Sequence, residues 1–172
     1  SVQRRHQKIV EEAPALGLSD KTRSALHKAA QKIAQKVNYV SCGTVEFLLD
    51  CSNSKEDQDF YFLEMNTRLQ VEHPVSEELF SIDIVEWQFR IAQGEKLEKN
   101  FNSSDIHAIE ARIYAEDPEN NFLPAPGFLT SFKPFYMSGV RWELGADKVT
   151  KVSEKFDPML AKVVVKSDSR VN

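Results

Sequence analysis

Glu46, Glu64 and the string that follows the second carboxylate are the residues whose types and spacing could do chemistry. In Glu64-Met65-Asn66-Thr67-Arg68-Leu69-Gln70-Val71-Glu72-His73-Pro74, polar and apolar residues alternate. An extended chain sends successive side chains to opposite faces. Glu64, Asn66, Arg68, Gln70 and Glu72 would then share one face, with Leu63, Met65, Thr67, Leu69 and Val71 on the buried one. Alternation alone suits a solvated strand face as well as a binding face. Glu46 sharpens the choice, because it sits inside Val45-Glu46-Phe47-Leu48-Leu49, where a lone carboxylate is out of place. If 44–51 and 58–66 are strands joined by the polar loop 52–57, opposed residue numbers sum to about 110. Glu46 then faces Glu64. Like charges opposed across a ladder repel, by about 4 kcal/mol at ~4 Å in a partly screened site. A shared proton or a bound cation removes that cost. Two carboxylates with Asn66 form an oxygen donor set, suited to a hard ion such as Mg²⁺ that keeps phosphate oxygens in its shell. A one-residue slip in register would turn Glu46 to solvent instead.

Two further clusters carry charge. Arg4, Arg5, His6 and Lys8, with Gln3 beside them, suit an anion such as phosphate or bicarbonate. A solvated basic strand is the other reading. Glu110, Arg112 and Tyr114 fall on one face of a strand, as a structural Glu110–Arg112 pair or as part of a site. Leu123 to Gly127 (Leu-Pro-Ala-Pro-Gly) is a rigid turn, and Asp157 opens a turn feeding the last strand. Cys42 and Cys51 make neither a CxxC pair nor a His/Cys cluster and read as two reduced thiols.

The elements that must position these residues follow from periodicity. Residues 1–12 read as one strand closed by Ala13-Pro14. Ser19 or Asp20 caps a helix running to about Val37, with Leu26, Ala29, Ala30, Ile33 and Val37 at helical spacing. A second helix is expected over 76–93, with Ile84, Val85, Trp87, Phe89, Ile91 and Ala92 as its apolar residues and Gly94 as its stop. Polar residues 95–105 suit a connection between domains. Strands are expected over 107–115, 128–133, 139–144 and 160–166. Helices come first and an antiparallel strand set second, which makes the fold class α+β.

The 172 residues are 41% hydrophobic and 28% charged, with a net charge of −4, enough to build a core of one domain or slightly more. No basic stripe points to nucleic acid. No apolar run is long enough to span a membrane, and no signal-peptide pattern opens the chain. The chain opens on what reads as a strand already under way and stops just after the buried-looking strand 161–165, so the sequence is expected to be a piece of a longer polypeptide.

The sequence resembles the biotin carboxylase family, ATP-grasp enzymes that serve acetyl-, propionyl- and methylcrotonyl-CoA carboxylases and pyruvate carboxylase. The resemblance runs through essentially the whole chain. Its anchors are Arg4-Arg5-His6-Gln7-Lys8, Gly43 to Leu48 (Gly-Thr-Val-Glu-Phe-Leu), Glu64 to Pro74, Glu110 to Pro118 and Phe156-Asp157-Pro158-Met159. A lone Glu-x-Asn occurs in many ATP-grasp ligases, whereas the unbroken Glu64–Pro74 string is specific to this family. The resemblance implies the C-terminal half of an ATP-grasp domain over 1–100. An incomplete, mostly antiparallel β biotin carboxylase C-terminal domain would follow over 101–172. It further implies a ligase that carboxylates biotin on its carrier with bicarbonate and ATP, through carboxyphosphate, with Mg²⁺ or Mn²⁺.

By that resemblance Glu46, Glu64 and Asn66 hold the metal, and Gln3, His6, Leu48, Glu46 and Glu64 lie on the nucleotide side. Lys8, Arg68, Gln70, the Val71 backbone, Glu72 and Arg112 line the bicarbonate and biotin pocket. Glu72 would be the base toward bicarbonate, and Arg112 would stabilise the enolate of biotin; Arg68 and Lys8 complete the catalytic set. The implied partners are a biotin carboxyl carrier protein or domain, a carboxyltransferase subunit and a second copy in a homodimer, in the cytoplasm or the mitochondrial matrix. Neither nucleic acid nor membrane is expected. Segments 113–118 and 157–162 are closer to propionyl- or methylcrotonyl-type subunits. Ser41-Cys42 depart from the small residues usual before Gly43.

The family's glycine-rich phosphate lid, its phosphate-holding lysines and its adenine hinge lie in a preceding half, so this stretch alone is expected to be inactive. Two readings stand beside this one: another ATP-grasp ligase, such as a carbamoyl-phosphate synthase relative, and a regulatory module that keeps the fold without the chemistry.

Overall fold

The computed structural model describes residues 1–52, 58–97, 101, 105–146 and 151–171. The chain divides into two compact units that interleave in sequence. One comprises Ser1–Ala13, Pro74–Leu79 and Asp105–Asn172, the other Pro14–His73 and Phe80–Ser104. In chain order the elements are β1 (Val2–Arg4), β2 (Gln7–Ala13), α1 (Asp20–Lys36), β3 (Thr44–Leu49), β4 (Phe60–Asn66), α2 (His73–Phe80), α3 (Ile84–Ala92) and β5 (His107–Tyr114). They continue with β6 (Glu116–Asp117), a 3₁₀ turn (Pro118–Asn120), β7 (Leu123–Pro124), β8 (Gly127–Phe128), β9 (Val140–Leu144), β10 (Lys151–Val152) and β11 (Met159–Ser167).

The first unit is built on a five-stranded sheet in the order β1-β2-β5-β11-β9, and every pairing in it is antiparallel. The β-branched run Val163-Val164-Val165 suits β11 to an interior place between β5 and β9. Val75 of α2 packs with Ala108 and Val164, and Ala13 closes against them. A second cluster joins Ala146, Val152 and Leu160, with Ala115 and Leu129 at its edge.

Two expectations for this unit change. Residues 1–12 are a hairpin, because Arg5 and His6 take left-handed backbone (φ 52° and 64°) and Arg4 pairs back to Gln7. Such two-residue turns usually announce themselves by Asn-Gly or Asp-Gly, and here two charged side chains occupy them. The strand expected over 128–133 shrinks to Gly127–Phe128, paired with β10. Beyond it, Phe135 gives its carbonyl to the Trp142 indole N–H at 2.7 Å, and Phe132 stacks edge-on to Trp142.

In the second unit, Ser19 N-caps α1 by accepting from the Thr22 N–H at 3.1 Å. Strands β3 and β4 form a separate two-stranded ribbon. Phe47 packs edge-on to Phe60 and Phe62, with ring centroids 5.4 and 6.3 Å away. Residues 53–57, most of the expected 52–57 loop, and residues 98–100 and 102–104 of the expected connection lie outside the described residues.

The helix expected over 76–93 is two helices. Ser81 is left-handed (φ 52°), and Asp83 starts α3 by accepting from the Glu86 N–H at 2.8 Å. A new cap at Asp83 outcompetes continuation. Gly94 (φ 91°) follows the C-cap Gln93, as the sequence indicated.

Candidate functional site

The β3–β4 ribbon sets Glu46 directly opposite Glu64, Val45 opposite Met65 and Thr44 opposite Asn66. This is the register the loop arithmetic requires, and a bulge after Glu46 leaves these pairs unaffected. The Asn66 amide sits between the two carboxylates. Its Nδ2 donates to Glu46 Oε1 at 3.1 Å and to Glu64 Oε1 at 2.8 Å. Gln70 Nε2 also donates to Glu46 Oε1 at 3.1 Å.

Two like charges are thus held together by N–H dipoles rather than separated by a register slip. Gly43 keeps the floor of this cluster tight. A Cβ there would stand 3.0 Å from the Asn66 carbonyl and 3.1 Å from the Tyr39 ring, whose hydroxyl donates to the Cys42 carbonyl at 2.7 Å. Burial raises the Cys42 thiol above its ordinary value, so the thiol stays protonated.

The donor set fits a hard divalent cation. Glu46 and Glu64 offer carboxylate oxygens from neighbouring strands. Asn66 would present Oδ1 instead of its N–H₂ once a cation offsets the two charges.

The expectation of one extended face from Glu64 to Glu72 fails beyond Asn66. Strand β4 ends there and residues 71–72 form a turn. His73 closes this turn, with its N–H donating to the Gln70 carbonyl at 3.2 Å and its Nδ1 at 2.8 Å. Two hydrogen bonds on one carbonyl fix Val71 and Glu72 on a tight, half-buried loop.

Gln70 is the buried polar member of the string and Arg68 is exposed, with Nη1 donating to the Leu69 carbonyl at 3.1 Å. The odd-numbered apolar face is not closed either: Leu63 is 51% exposed, since a two-stranded ribbon cannot cover itself. Leu48, expected on the nucleotide side, is likewise exposed on β3.

In the other unit, Gln3 pairs with Lys8 across the β1–β2 hairpin and His6 lies exposed in its turn. The basic cluster is partly spent on structure. Arg4 is salt-bridged to Glu116 and stacked over the Phe122 ring, and Arg5 donates to the Asn121 carbonyl. Arg112 lies on β5 opposite Lys162. Its Nη2 stands 3.7 Å from Glu11 Oε1, both side chains being 9% exposed. Glu110 lies 3.8 Å from the Lys162 amine.

Sequence reasoning did not single out Glu11 or Lys162. Each had a faint signal. Glu11 shares a strand face with the apolar Ile9 and Ala13, and Lys162 interrupts an apolar strand.

Residues 1–100 match the sequence family of the carbamoyl-phosphate synthase L chain ATP-binding domain, and residues 110–172 match the biotin carboxylase C-terminal domain. The chain belongs to the biotin carboxylase family. The second match separates it from other ATP-grasp ligases, which the first alone would admit. The mitochondrial methylcrotonoyl-CoA carboxylase subunit alpha of Rattus norvegicus is 52% identical over 99% of this chain and 24% of its own length. Biotin carboxylase 2 of Bacillus subtilis is 49% identical over 99% of this chain and 37% of its own.

A crystal structure of the biotin carboxylase domain dimer of Hydrogenobacter thermophilus 2-oxoglutarate carboxylase, in complex with MgADP, ADP and bicarbonate, superposes with a TM-score of 0.90. It is 39% identical and covers 98% of this chain and 36% of that one. The chain thus spans about a quarter to somewhat over a third of these biotin carboxylase relatives. The α+β class and the antiparallel strand set agree with that family's ATP-grasp architecture. No helix among the described residues is long and apolar enough to cross a membrane.

Proposed function

We propose that the full-length protein carrying this chain is the biotin carboxylase component of an acyl-CoA carboxylase. It carboxylates biotin, borne on a carboxyl carrier protein or domain, with bicarbonate and ATP through carboxyphosphate. The observation that carries this reading is the Glu46–Glu64 pair, opposed across the ribbon and bridged by Asn66, a few residues before the Gln70–Glu72 turn. An opposed pair of carboxylates of this kind suits a divalent cation, and a cation beside an anion pocket suits phosphoryl transfer.

In this reading Glu46, Glu64 and Asn66 hold Mg²⁺ or Mn²⁺, which when bound offsets charge on the phosphates. Gln3, His6 and Leu48 lie on the nucleotide side. Lys8, Arg68, Gln70 and the Val71 backbone hold bicarbonate, and Glu72 takes its proton as the oxygen attacks the γ-phosphate. The turn closed by His73 holds Glu72 at a fixed reach, which proximity requires. Arg112 faces the ureido oxygen of biotin, where negative charge gathers only along the reaction path. It therefore favours the transition state over the ground state. The domain boundary lies near residue 100, with 1–100 as the C-terminal part of the ATP-grasp domain and 101–172 in the C-terminal domain. The remaining partners are a carboxyltransferase subunit and a second copy of the chain, in the cytoplasm or in a mitochondrial matrix. The relatives' names support a methylcrotonyl-type assignment.

The test is Glu72→Gln in the full-length protein, assayed for bicarbonate-dependent ATP cleavage. Loss of the base is expected to lower kcat about a hundredfold or more, with ATP affinity held within about threefold. Undiminished kcat would remove Glu72 from the role of base.

A further inference from the structure

We propose that Glu11 is a positioning residue for Arg112, holding the guanidinium in place by charge; this rests on the role given to Arg112 above. Glu11 lies on β2, directly opposite Glu110 of β5, and is 7% exposed. Two carboxylates opposed in a buried ladder are costly, and Glu110 is fully buried. Each has a cation near it. The Lys162 amine stands 3.8 Å from Glu110 and 2.8 Å from Glu143, and Arg112 stands 3.7 Å from Glu11.

The same face therefore carries a largely buried block of mixed charge across β2, β5, β11 and β9, with Arg112 facing Lys162 and Lys162 facing Glu143 in register. Two like-charged bases side by side would drive Arg112 away from Lys162, and Glu11 is the carboxylate on the opposite flank that holds it.

The way Glu11 is held fits this task. Its Oε2 accepts from the Ser1 hydroxyl at 2.6 Å, which anchors the carboxylate from behind. Its Oε1, the oxygen turned to Arg112, accepts no hydrogen bond among the described residues. A pairing at 3.7 Å without a hydrogen bond restrains the guanidinium while claiming none of its N–H groups, unlike a two-pronged Arg–carboxylate bridge. A group that must meet charge developing on a substrate oxygen needs this kind of restraint, because small displacements are expensive there.

The experiment uses the full-length protein and two assays on the same preparation: carboxylation of free biotin, and bicarbonate-dependent ATP cleavage without biotin. Carboxyphosphate forms before biotin reacts, so the second assay reads the step that does not need Arg112. Glu11→Gln keeps the shape and removes the charge. It is expected to lower kcat for biotin carboxylation about tenfold or more while biotin-free ATP cleavage stays within about twofold. Glu11→Asp should recover part of the loss, and it decides the same ratio if the glutamine variant does not fold.

A parallel fall in both assays would make Glu11 merely structural and overturn the proposal, as would unchanged carboxylation. Arg112→Ala is measured alongside. If it leaves carboxylation intact, the role given to Arg112 is wrong; if it abolishes carboxylation while Glu11→Gln does not affect it, only the positioning role of Glu11 is lost.

Discussion

Replacing Glu64 by glutamine removes one of two opposed charges, so it should act oppositely on folding and on chemistry. Without a cation, the Asn66 amide bridges the Glu46–Glu64 pair and Gln70 donates to Glu46 as well, and neutralising one member relieves repulsion. With a cation required, the same change removes a ligand. Glu64→Gln is therefore expected to leave the thermal midpoint unchanged or slightly higher, and to raise the Mg²⁺ concentration for half-maximal ATP cleavage about tenfold or more, with kcat down about a hundredfold. A Mg²⁺ titration beside a thermal scan checks both. Equal loss of stability and activity would mean that the pair is a structural element. The pairing was legible in the sequence because a hairpin fixes every opposed pair once two strands are found. Glu11 was not, because its meaning depends on Arg112, which lies 101 positions away in sequence and meets it only when β2 lies against β5.

At the level of elements, α2 is fastened to its sheet by charge as much as by Val75. Arg141 of β9 reaches Glu77 at 2.8 Å and Glu78 at 3.3 Å and is also salt-bridged to Glu143 of its own strand; Lys166 of β11 meets Glu78 at 2.6 Å. Burial pushes the Glu78 carboxyl up, but Lys166 and Arg141 together push it further down, below the usual glutamate range. Burial likewise acts on Glu143 and is outweighed by Lys162 and Arg141. Arg141 itself is desolvated, and its carboxylates more than compensate, holding it above its ordinary value. A carboxylate depressed in the folded state contributes stability that is complete above its unfolded pKa, about 4.3, and is lost as pH falls through the folded value. The thermal midpoint is thus expected to hold from neutrality to about pH 4.5 and to drop below it. Arg141→Ala should cost about 2 kcal/mol near neutrality, after discounting its partial exposure, and its acid decline should be shallower, because Glu78 and Glu143 lose depression and with it part of the stability that acid removes. A variant curve parallel to the parent's would show that Arg141 does not set these carboxylates. The existence of α1, β3, β4, β5, β9 and β11 was readable from period and caps. The break at Ser81-Ile82-Asp83 was missed, because an apolar pattern of helical period ran through it while the Asp83 cap is a local hydrogen bond.

For the whole molecule, sequence order and spatial grouping disagree, and the sequence could not show it. The family matches divide the chain near residue 100, yet β2 lies between β1 and β5, and α2 supplies Val75 to the core formed with Ala108 and Val164. The sheet of the C-terminal segment therefore borrows its neighbouring strands and its covering helix from the first 80 residues. Remove them and β5 loses the strand on its outer side. Ala108 and Val164, both fully buried, lose Val75 and Ala13 from their cluster, and Arg112 loses Glu11. At roughly 25 cal/mol per Å² of apolar surface, a sheet reduced to β5, β11 and β9 with one open face cannot offset the entropy of ordering its loops. Residues 101–172 expressed alone are thus expected to show no cooperative thermal unfolding and poorly dispersed amide resonances. The same residues joined through a short linker to 1–13 and 74–79 should recover a cooperative transition. A cooperative transition from 101–172 alone would mean that the boundary near residue 100 is a true folding boundary, and that β2 and α2 dock onto a sheet already formed.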